Sequence, residues 1–243
     1  MNSAKLPSSW KRIERRFFLE PPEIVAPQLL GKLLARQTEA GWLAGRIVEV
    51  EAYLGPHITA TPDPAAHSFR GVTERNRVMF GPPGHAYVYF IYGKYFCVNV
   101  TCEPVGQAGC ILIRALEPIL GLEEMALNRG LSRGLPRGLP SGPSLAKLTG
   151  GPGKLCQAMQ ITRSDDNGLD LLSAASPLQL REDGYRVESI DITPRIGIRH
   201  AADLPLRFSV AGNGCVSRPP SVGSGSRSRL RSGSRSGLGK KPV

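Results

Sequence analysis

The sequence predicts a single domain of the α+β class, and three observations lead to that prediction. The chain has 243 residues, of which 41% are hydrophobic, so it is long enough to bury one substantial core. Two segments, RIVEVEAYLG at 46–55 and YVYFIYGKYFCVN at 87–99, alternate with a period of two, which indicates β-strands. Helical segments lie among the strands without the regular strand–helix–strand order of a parallel sheet.

The first regular element is predicted to be a helix over residues 24–36, preceded by a loose N-terminus over 1–13. Two prolines at positions 21 and 22 mark the start of this helix. Its apolar residues recur at helical spacing, and they are Val25, Leu29, Leu30, Leu33 and Leu34.

The later elements are predicted from the same kinds of pattern. In chain order they are strands over 42–54, a loop over 57–69, a short turn or helix over 73–79, a hairpin over 87–100, a strand over 108–116, helices over 120–128 and 155–161, and alternating strands and turns over 170–210.

The strand over 46–55 places two carboxylates on one face. Its period of two sets Val48, Val50, Ala52 and Leu54 on an apolar face, and Ile47, Glu49, Glu51 and Tyr53 on the other. Without further evidence this is a half-buried strand with one solvated side. We expect Glu49 to be solvated, although like-charge repulsion from it could instead raise the pKa of Glu51.

The hairpin over 87–100 carries an aromatic residue at its tip. Tyr92-Gly93-Lys94 is predicted to be the turn, since Gly93 supplies the positive φ that tight hairpin loops need. Tip residues are normally small and polar, so a tyrosine there indicates a partner outside the sheet. The alternative is a Tyr92 side chain folded back onto its own sheet.

The formal net charge of +11 is unevenly distributed. Residues 218–243 contain five Arg and two Lys without any acid, so they carry +7 and leave +4 for residues 1–217. This Ser/Gly/Arg-rich tail is predicted to be disordered and without a dedicated role, with a non-specific DNA tether as the alternative. Residues 129–143 repeat Arg-Gly-Leu and are predicted to be a low-complexity insertion.

Composition argues against membrane and metal-binding classes of protein. No apolar run approaches the roughly 20 residues of a membrane span, and the basic N-terminus lacks the apolar core of a signal peptide. The five cysteines and four histidines match no zinc or iron–sulfur spacing. We therefore expect reduced thiols, no metal, no membrane association and a cytoplasmic location, associated with the nucleoid if the source is bacterial.

Seven motifs give the chain a resemblance to one family. In order, between about residues 14 and 219, they are RIVEVEAYLGP, AAHSFRG, TERNRVMF, YVYFIYGKYFCVNV, CILIRALEP, GPGKLCQAM and PRIGIRHAADLPLRF. In these motifs the chain resembles the alkyladenine (3-methyladenine) DNA glycosylase family. The resemblance implies a glycosylase domain over 14–217, built on a curved, mainly antiparallel sheet that is flanked by helices and carries a protruding β-hairpin.

The resemblance also implies an activity and a partner. Such an enzyme flips a damaged purine out of double-stranded DNA and hydrolyses its N-glycosidic bond without metal or cofactor, as a step of base excision repair. The implied substrates belong to the class of 3-methyladenine, 7-methylguanine, hypoxanthine and etheno-adenine. We expect a monofunctional monomer with inverting attack by water and no covalent lysine intermediate.

Matching motif positions assign roles to individual residues. Glu51 matches the general base, Arg114 matches the arginine that helps hold the attacking water, and Ile196 matches the residue whose backbone carbonyl does so too. Other matches concern the base and the DNA: Tyr53, His67 and Tyr89 as pocket walls, Asn99 as the residue that hinders guanine, and Tyr92 as the wedge in the duplex. Basic residues near these motifs are candidates for phosphate contacts, namely Arg70, Arg75, Arg77 and Lys94.

Two other functions are compatible with parts of the sequence. A non-catalytic DNA-bending protein could use Tyr92 alone, but it would have no need of Glu51. A helix-hairpin-helix glycosylase could use GGPGKL at 150–155 with a downstream Asp165 or Asp166, but the other motifs lie far from that segment.

Overall fold

An open ten-stranded sheet organises the computed structural model, which describes residues 5–56, 62–131, 143–217 and 226–229. Every strand pair in this sheet is antiparallel. The strands are β1 (Lys11–Arg12), β2 (Leu33–Thr38), β3 (Gly41–Tyr53), β4 (Ala86–Ile91), β5 (Tyr95–Cys102), β6 (Gly109–Leu120), β7 (Leu178–Glu182), β8 (Ser189–Thr193), β9 (Arg207–Val210) and β10 (Ser226–Arg229). The single-domain α+β prediction is confirmed.

Five short α-helices and two 3₁₀ turns accompany the sheet. They are α1 (Pro22–Leu29), α2 (Leu122–Asn128), α3 (Pro143–Thr149), α4 (Pro152–Ala158) and α5 (Arg163–Asp166), with 3₁₀ turns at Arg15–Phe18 and Arg77–Phe80. No helix within the described part of the chain has the length and apolar character needed to cross a bilayer.

Strand β3 is the centre of the sheet. The main strand order is β1-β7-β2-β3-β6-β5-β4, and the second half of β3 also pairs with β9, which leads to β8 and β10. One row of directly opposed residues crosses five strands. It runs from Arg207 on β9 through Glu51, Leu112 and Asn99 to Tyr87 on β4. Opposed residues share a face of the sheet, so this row gathers polar and aromatic side chains on one side.

The alternation predicted for β3 holds over most of the strand. Val50, Ala52 and Leu54 lie in the main hydrophobic core. Glu49 and Glu51 lie outside that cluster. The prediction is wrong for Ile47, which packs in the same core, and for Val48, which packs with Ala115 and Cys215. Register shifts against β6 on both sides of Glu49 explain the exchange, because a bulge inverts the faces of the residues before it.

The helix predicted over 24–36 is also wrong at its C-terminal half. Helix α1 ends at Leu29, and Gly31, with φ +83°, turns the chain into β2. Leu33 and Leu34 are fully buried there, between β3 and β7. A short apolar run buried on both sides has no strand period, so it resembles a helix face.

Residues at both ends of the chain add edge strands. Lys11–Arg12, in the predicted loose N-terminus, form β1, and Ser226–Arg229, in the predicted tail, form β10. The remainder of that tail, residues 132–142 of the predicted insertion and residues 57–61 of the predicted loop lie outside the described residues. All five cysteines are buried free thiols.

Glu103, just after β5, predicts a pH-dependent stability. The residue is 1% exposed, its Oε2 has no hydrogen-bond partner among the described residues, and burial with help from nearby Glu23 raises its pKa to about 7. The unfolded chain ionises this group near its ordinary pKa of 4.5. Stability should therefore fall as pH rises from 4.5 to 7 and then level off, by up to about 3 kcal/mol.

Glu103→Gln should remove most of that slope, since glutamine does not ionise. Urea unfolding at pH 4.5, 6 and 8 measures it, with exposed Glu188→Gln as the matched control. A Glu103→Gln variant with the wild-type difference in stability between pH 4.5 and 8 would contradict the assignment.

Candidate active site

A pocket of about 280 Å³ opens beside the β4–β5 hairpin. Its walls come from the end of β3, from the hairpin, and from two loops around residues 65–79 and 197–198. It is lined by Tyr53, Ala65, His67, Arg75, Met79, Tyr87, Tyr89, Ile91, Tyr92, Asn99, Cys110, Gly197 and Ile198. All five residues predicted for the base pocket and the wedge are therefore brought together in one place.

The Glu51 carboxylate lies beneath this pocket and is fully buried. Its Oε2 accepts a hydrogen bond from the Tyr53 hydroxyl at 3.0 Å. Its Oε1 accepts the backbone N–H of Ile196 at 2.7 Å and lies 3.2 Å from Nη1 of Arg114. The three residues predicted to act on water are thus in mutual contact, and Tyr53 links them to the pocket.

Burial and the neighbouring Glu51 carboxylate both raise the pKa of Tyr53, far above its ordinary value of 10. The phenol therefore stays protonated and donates to Glu51 at any pH the enzyme meets. Ile196 touches Glu51 through its amide N–H, whereas the motif match assigned a role to its carbonyl.

Glu49 is not solvated, contrary to our expectation from the sequence. It is fully buried and accepts hydrogen bonds from Arg114, Arg207 and Ser217. Burial alone would raise the pKa of Glu49, but the two guanidinium groups and the Ser217 donors outweigh it and hold the pKa below its ordinary value. Glu49 is therefore ionised at neutral pH.

Three aromatic rings form the opposite wall of the pocket. The His67 ring meets Tyr89 edge-on at 4.5 Å between centroids, and Tyr87 lies 5.5 Å from Tyr89. His67 Nδ1 and the Tyr87 hydroxyl share a hydrogen bond of 2.8 Å. Partial burial and the charge of Arg75 lower the pKa of His67 to about 4, so its ring is neutral at physiological pH.

Asn99 is held rigidly within the pocket. It is buried on β5, and its Nδ2 donates to the backbone carbonyl of Tyr87 at 2.9 Å. A weak contact of 3.9 Å joins the Cys110 thiol to its Oδ1. The Asn99 amide cannot turn away from a ligand without losing the bond to Tyr87.

Tyr92 stands at the hairpin tip with 86% of its surface exposed, so it is not folded back onto the sheet. Tyr92 and Gly93 have φ values of 50° and 64°, and the Lys94 N–H closes the turn on Ile91 O at 3.2 Å. Positive φ at both central residues is the signature of a type I′ turn. A tyrosine in this left-handed conformation is uncommon and costs energy, which points to a use for the ring outside the fold.

A buried ion pair that the sequence did not reveal supports the pocket. Arg195 Nη1 and Nη2 contact the two Asp63 oxygens at 2.5 and 2.9 Å, and Nη1 also donates to the carbonyl of Ala52. The guanidinium stacks 4.6 Å from the centre of the Tyr53 ring. The pair fastens the loop that carries His67 to the segment that carries Ile196. No local pattern could predict it, because its members are 132 residues apart.

The four predicted phosphate contacts have different positions. Arg75 lines the pocket, with its guanidinium 5.5 Å from the Tyr89 ring centre. Arg70 and Arg77 are exposed, Arg77 with an ion pair to Glu74, and Lys94 lies over Tyr95 on the far side of the hairpin. Tyr87, which sequence reasoning did not single out, could have been found by its shared parity with Tyr89.

Comparisons with known proteins agree with this arrangement. Residues 16–214 match the family described as Methylpurine-DNA glycosylase. A relative from Koribacter versatilis named "Putative 3-methyladenine DNA glycosylase" is 53% identical over 206 residues, which cover 84% of this chain and 92% of the relative. Proteins of the same name from Methanoculleus marisnigri and Burkholderia lata are 48% and 47% identical, over 83% and 85% of this chain and 96% and 91% of their own lengths.

Proposed function

The chain belongs to the methylpurine-DNA glycosylase family, and from that premise we propose that it excises alkylated and deaminated purines from double-stranded DNA. The proposed substrates are 3-methyladenine, 7-methylguanine, hypoxanthine and etheno-adenine. One observation carries the proposal: a buried carboxylate, Glu51, lies directly beneath an aromatic pocket and is joined to it by Tyr53.

Glu51 acts as the general base in this proposal. Water between Glu51 and the sugar gives up a proton to the carboxylate as its oxygen attacks C1′. The C1′–N bond breaks on the opposite face, and its electron pair leaves with the base, so the sugar is inverted. A purine alkylated at N3 or N7 is already cationic and leaves as a neutral base. A neutral base such as hypoxanthine must gain a proton from elsewhere.

The aromatic pocket selects a base by stacking. The extruded purine stacks on Tyr53, with His67 and Tyr89 opposite, because every base presents a π-face that such rings can contact. A cationic base over an electron-rich ring gains a further ~1–2 kcal/mol. His67 is neutral, so it adds no charge repulsion against a cationic base.

The competing functions fit the structure less well. A DNA-bending protein would have no use for a buried carboxylate that is hydrogen-bonded beneath its pocket. For a helix-hairpin-helix glycosylase the catalytic aspartate should face a pocket. Asp165 is exposed, and Asp166 is buried in an ion pair with Arg36.

The remaining features are proposed on the same premise. One chain carries the wedge, the pocket and the base, so we propose a monomer that acts within base excision repair. A repair enzyme must reach chromosomal DNA, which places it in the cytoplasm, at the nucleoid in a bacterium. The domain spans 14–217, and the basic residues 218–243 add no specificity.

Duplexes that each contain one lesion test the proposal. Each is incubated with excess protein and then treated with alkali, which cleaves the strand at an abasic site. We expect cleavage only at the damaged purine, and none before alkali because the enzyme has no lyase step. Absence of cleavage with all four lesions would overturn the proposed function.

Tyr92→Ala should weaken base flipping and leave the chemistry intact. An inserted ring offsets part of the unstacking energy, and such stacking contributes ~1–3 kcal/mol, so flipping should fall about tenfold or more. A fluorescent purine analogue opposite a pyrimidine reports flipping, and excision from single-stranded DNA reports the chemistry. The matched control is Tyr185→Ala, which removes another exposed tyrosine, one that packs on Arg46. Equal flipping by wild type and Tyr92→Ala would exclude Tyr92 as the wedge.

A further inference from the structure

Glu49 is the most heavily hydrogen-bonded carboxylate around the site. Its Oε1 accepts from Arg114 Nε and Arg207 Nε, both at 2.8 Å, and from Ser217 Oγ at 2.9 Å. Its Oε2 accepts the Ser217 backbone N–H at 2.7 Å. Four donors on a fully buried group, drawn from β6, β9 and the segment after Cys215, fix both the charge and the orientation of this carboxylate.

Arg114 is divided between two carboxylates. Its Nε lies 2.8 Å from Glu49, while its Nη1 lies 3.2 Å from Glu51. A guanidinium facing a single carboxylate usually makes two parallel hydrogen bonds to it. Because Nε is committed to Glu49, Glu51 receives only one arm of the guanidinium, at the longer distance. The other Glu51 oxygen keeps only the neutral Tyr53 hydroxyl.

We propose that Glu49 is a positioning residue that holds Arg114 back from paired contact with Glu51, so that Glu51 remains able to accept a proton. Arg207 is the counter-charge that allows a second carboxylate to be buried there. The inference rests on the proposed function, since it assigns Glu49 a role only if Glu51 is the base. Paired contact with Arg114 would stabilise the ionised form of Glu51 and make it a weaker base.

The charges around Glu51 give the proposal a sign. Facing Glu51 are Arg114 from β6, Arg207 from β9, Glu49 and the protonated Tyr53 from β3, and the Cys97 thiol from β5. The two guanidinium groups balance the two carboxylates. Glu49→Gln leaves two cations facing Glu51 alone, which favours its ionised form. Arg207→Gln leaves one cation facing two carboxylates, which disfavours it.

The two variants should therefore shift the pH profile in opposite directions. Single-turnover excision of 7-methylguanine from a duplex is measured from pH 5 to 8, since this base leaves without protonation and the acid limb then reports ionisation of Glu51. We expect that limb to move at least about half a pH unit lower in Glu49→Gln and as much higher in Arg207→Gln. The plateau rate of Glu49→Gln should fall about tenfold or more, as a weakened base requires, with duplex binding unchanged.

A purely structural role would not give opposite shifts. Limbs that stay in place, or move in the same direction, would overturn the positioning role of Glu49. Absence of excision by wild type, or excision that survives Glu51→Gln, would instead refute the proposed function. Should Arg207→Gln fail to fold, Glu49→Asp replaces it: this variant keeps the charge, so its acid limb should stay near that of wild type while that of Glu49→Gln moves. An Asp variant that shifts as far as the Gln variant would also overturn the proposal.

Discussion

Replacing Glu51 by glutamine should lower single-turnover excision by at least ~10²-fold, the scale of a positioned general base. The substitution keeps the size of the side chain and retains an oxygen that can accept the Ile196 N–H, so the fold should survive. What it removes is the ability to take a proton from water. The neighbouring Tyr53 cannot replace it, because burial and the carboxylate itself keep that phenol protonated.

The measurement is the excision rate with enzyme in excess over a duplex that contains one hypoxanthine or one 7-methylguanine. Duplex affinity, measured separately, should stay close to that of wild type because Glu51 is buried beneath the pocket. Glu123→Gln makes the same chemical change at an exposed position on α2 and should excise normally. Excision by Glu51→Gln within threefold of wild type would remove Glu51 from the mechanism.

Local patterns predicted the parts of the fold whose faces repeat. The alternation along β3 placed Glu51 and Tyr53 on one face, and the structure joins them by a hydrogen bond. The Tyr92-Gly93-Lys94 turn was predicted because its conformation depends on the turn residues themselves. The helix at 24–36 and the face of Ile47 failed because a doubly buried strand and a bulge depend on neighbours that are distant in sequence.

Charge burial was the feature least accessible from the sequence. Glu49 resembled a solvated strand residue because one of its two cationic partners, Arg207, lies 158 residues further along the chain. Pairs such as Asp63 and Arg195 leave no periodic signal, since each member is an ordinary polar residue in its own segment. The motif match, in contrast, identified residues that the fold brings to one pocket from separate segments.

Replacing Asn99 by serine should relax discrimination against undamaged guanine. We propose that Asn99 rejects guanine by crowding its 2-amino group at the floor of the pocket. The position supports this, because Asn99 lines the pocket, is buried, and is tied to the Tyr87 carbonyl. A side chain held in this way cannot yield to the extra amino group, whereas serine keeps a small polar group and frees the space.

The test compares two bases that differ only at that position. Hypoxanthine lacks the 2-amino group of guanine, so the ratio of single-turnover excision of guanine from a G·T mismatch to that of hypoxanthine opposite T cancels effects on flipping and on water attack. Discrimination by one clashing group is worth ~1–3 kcal/mol, so Asn99→Ser should raise this ratio about 10- to 200-fold. An unchanged ratio would mean that guanine is rejected through stacking and leaving-group chemistry, and that the Asn99 bond to Tyr87 serves only to hold β4 against β5.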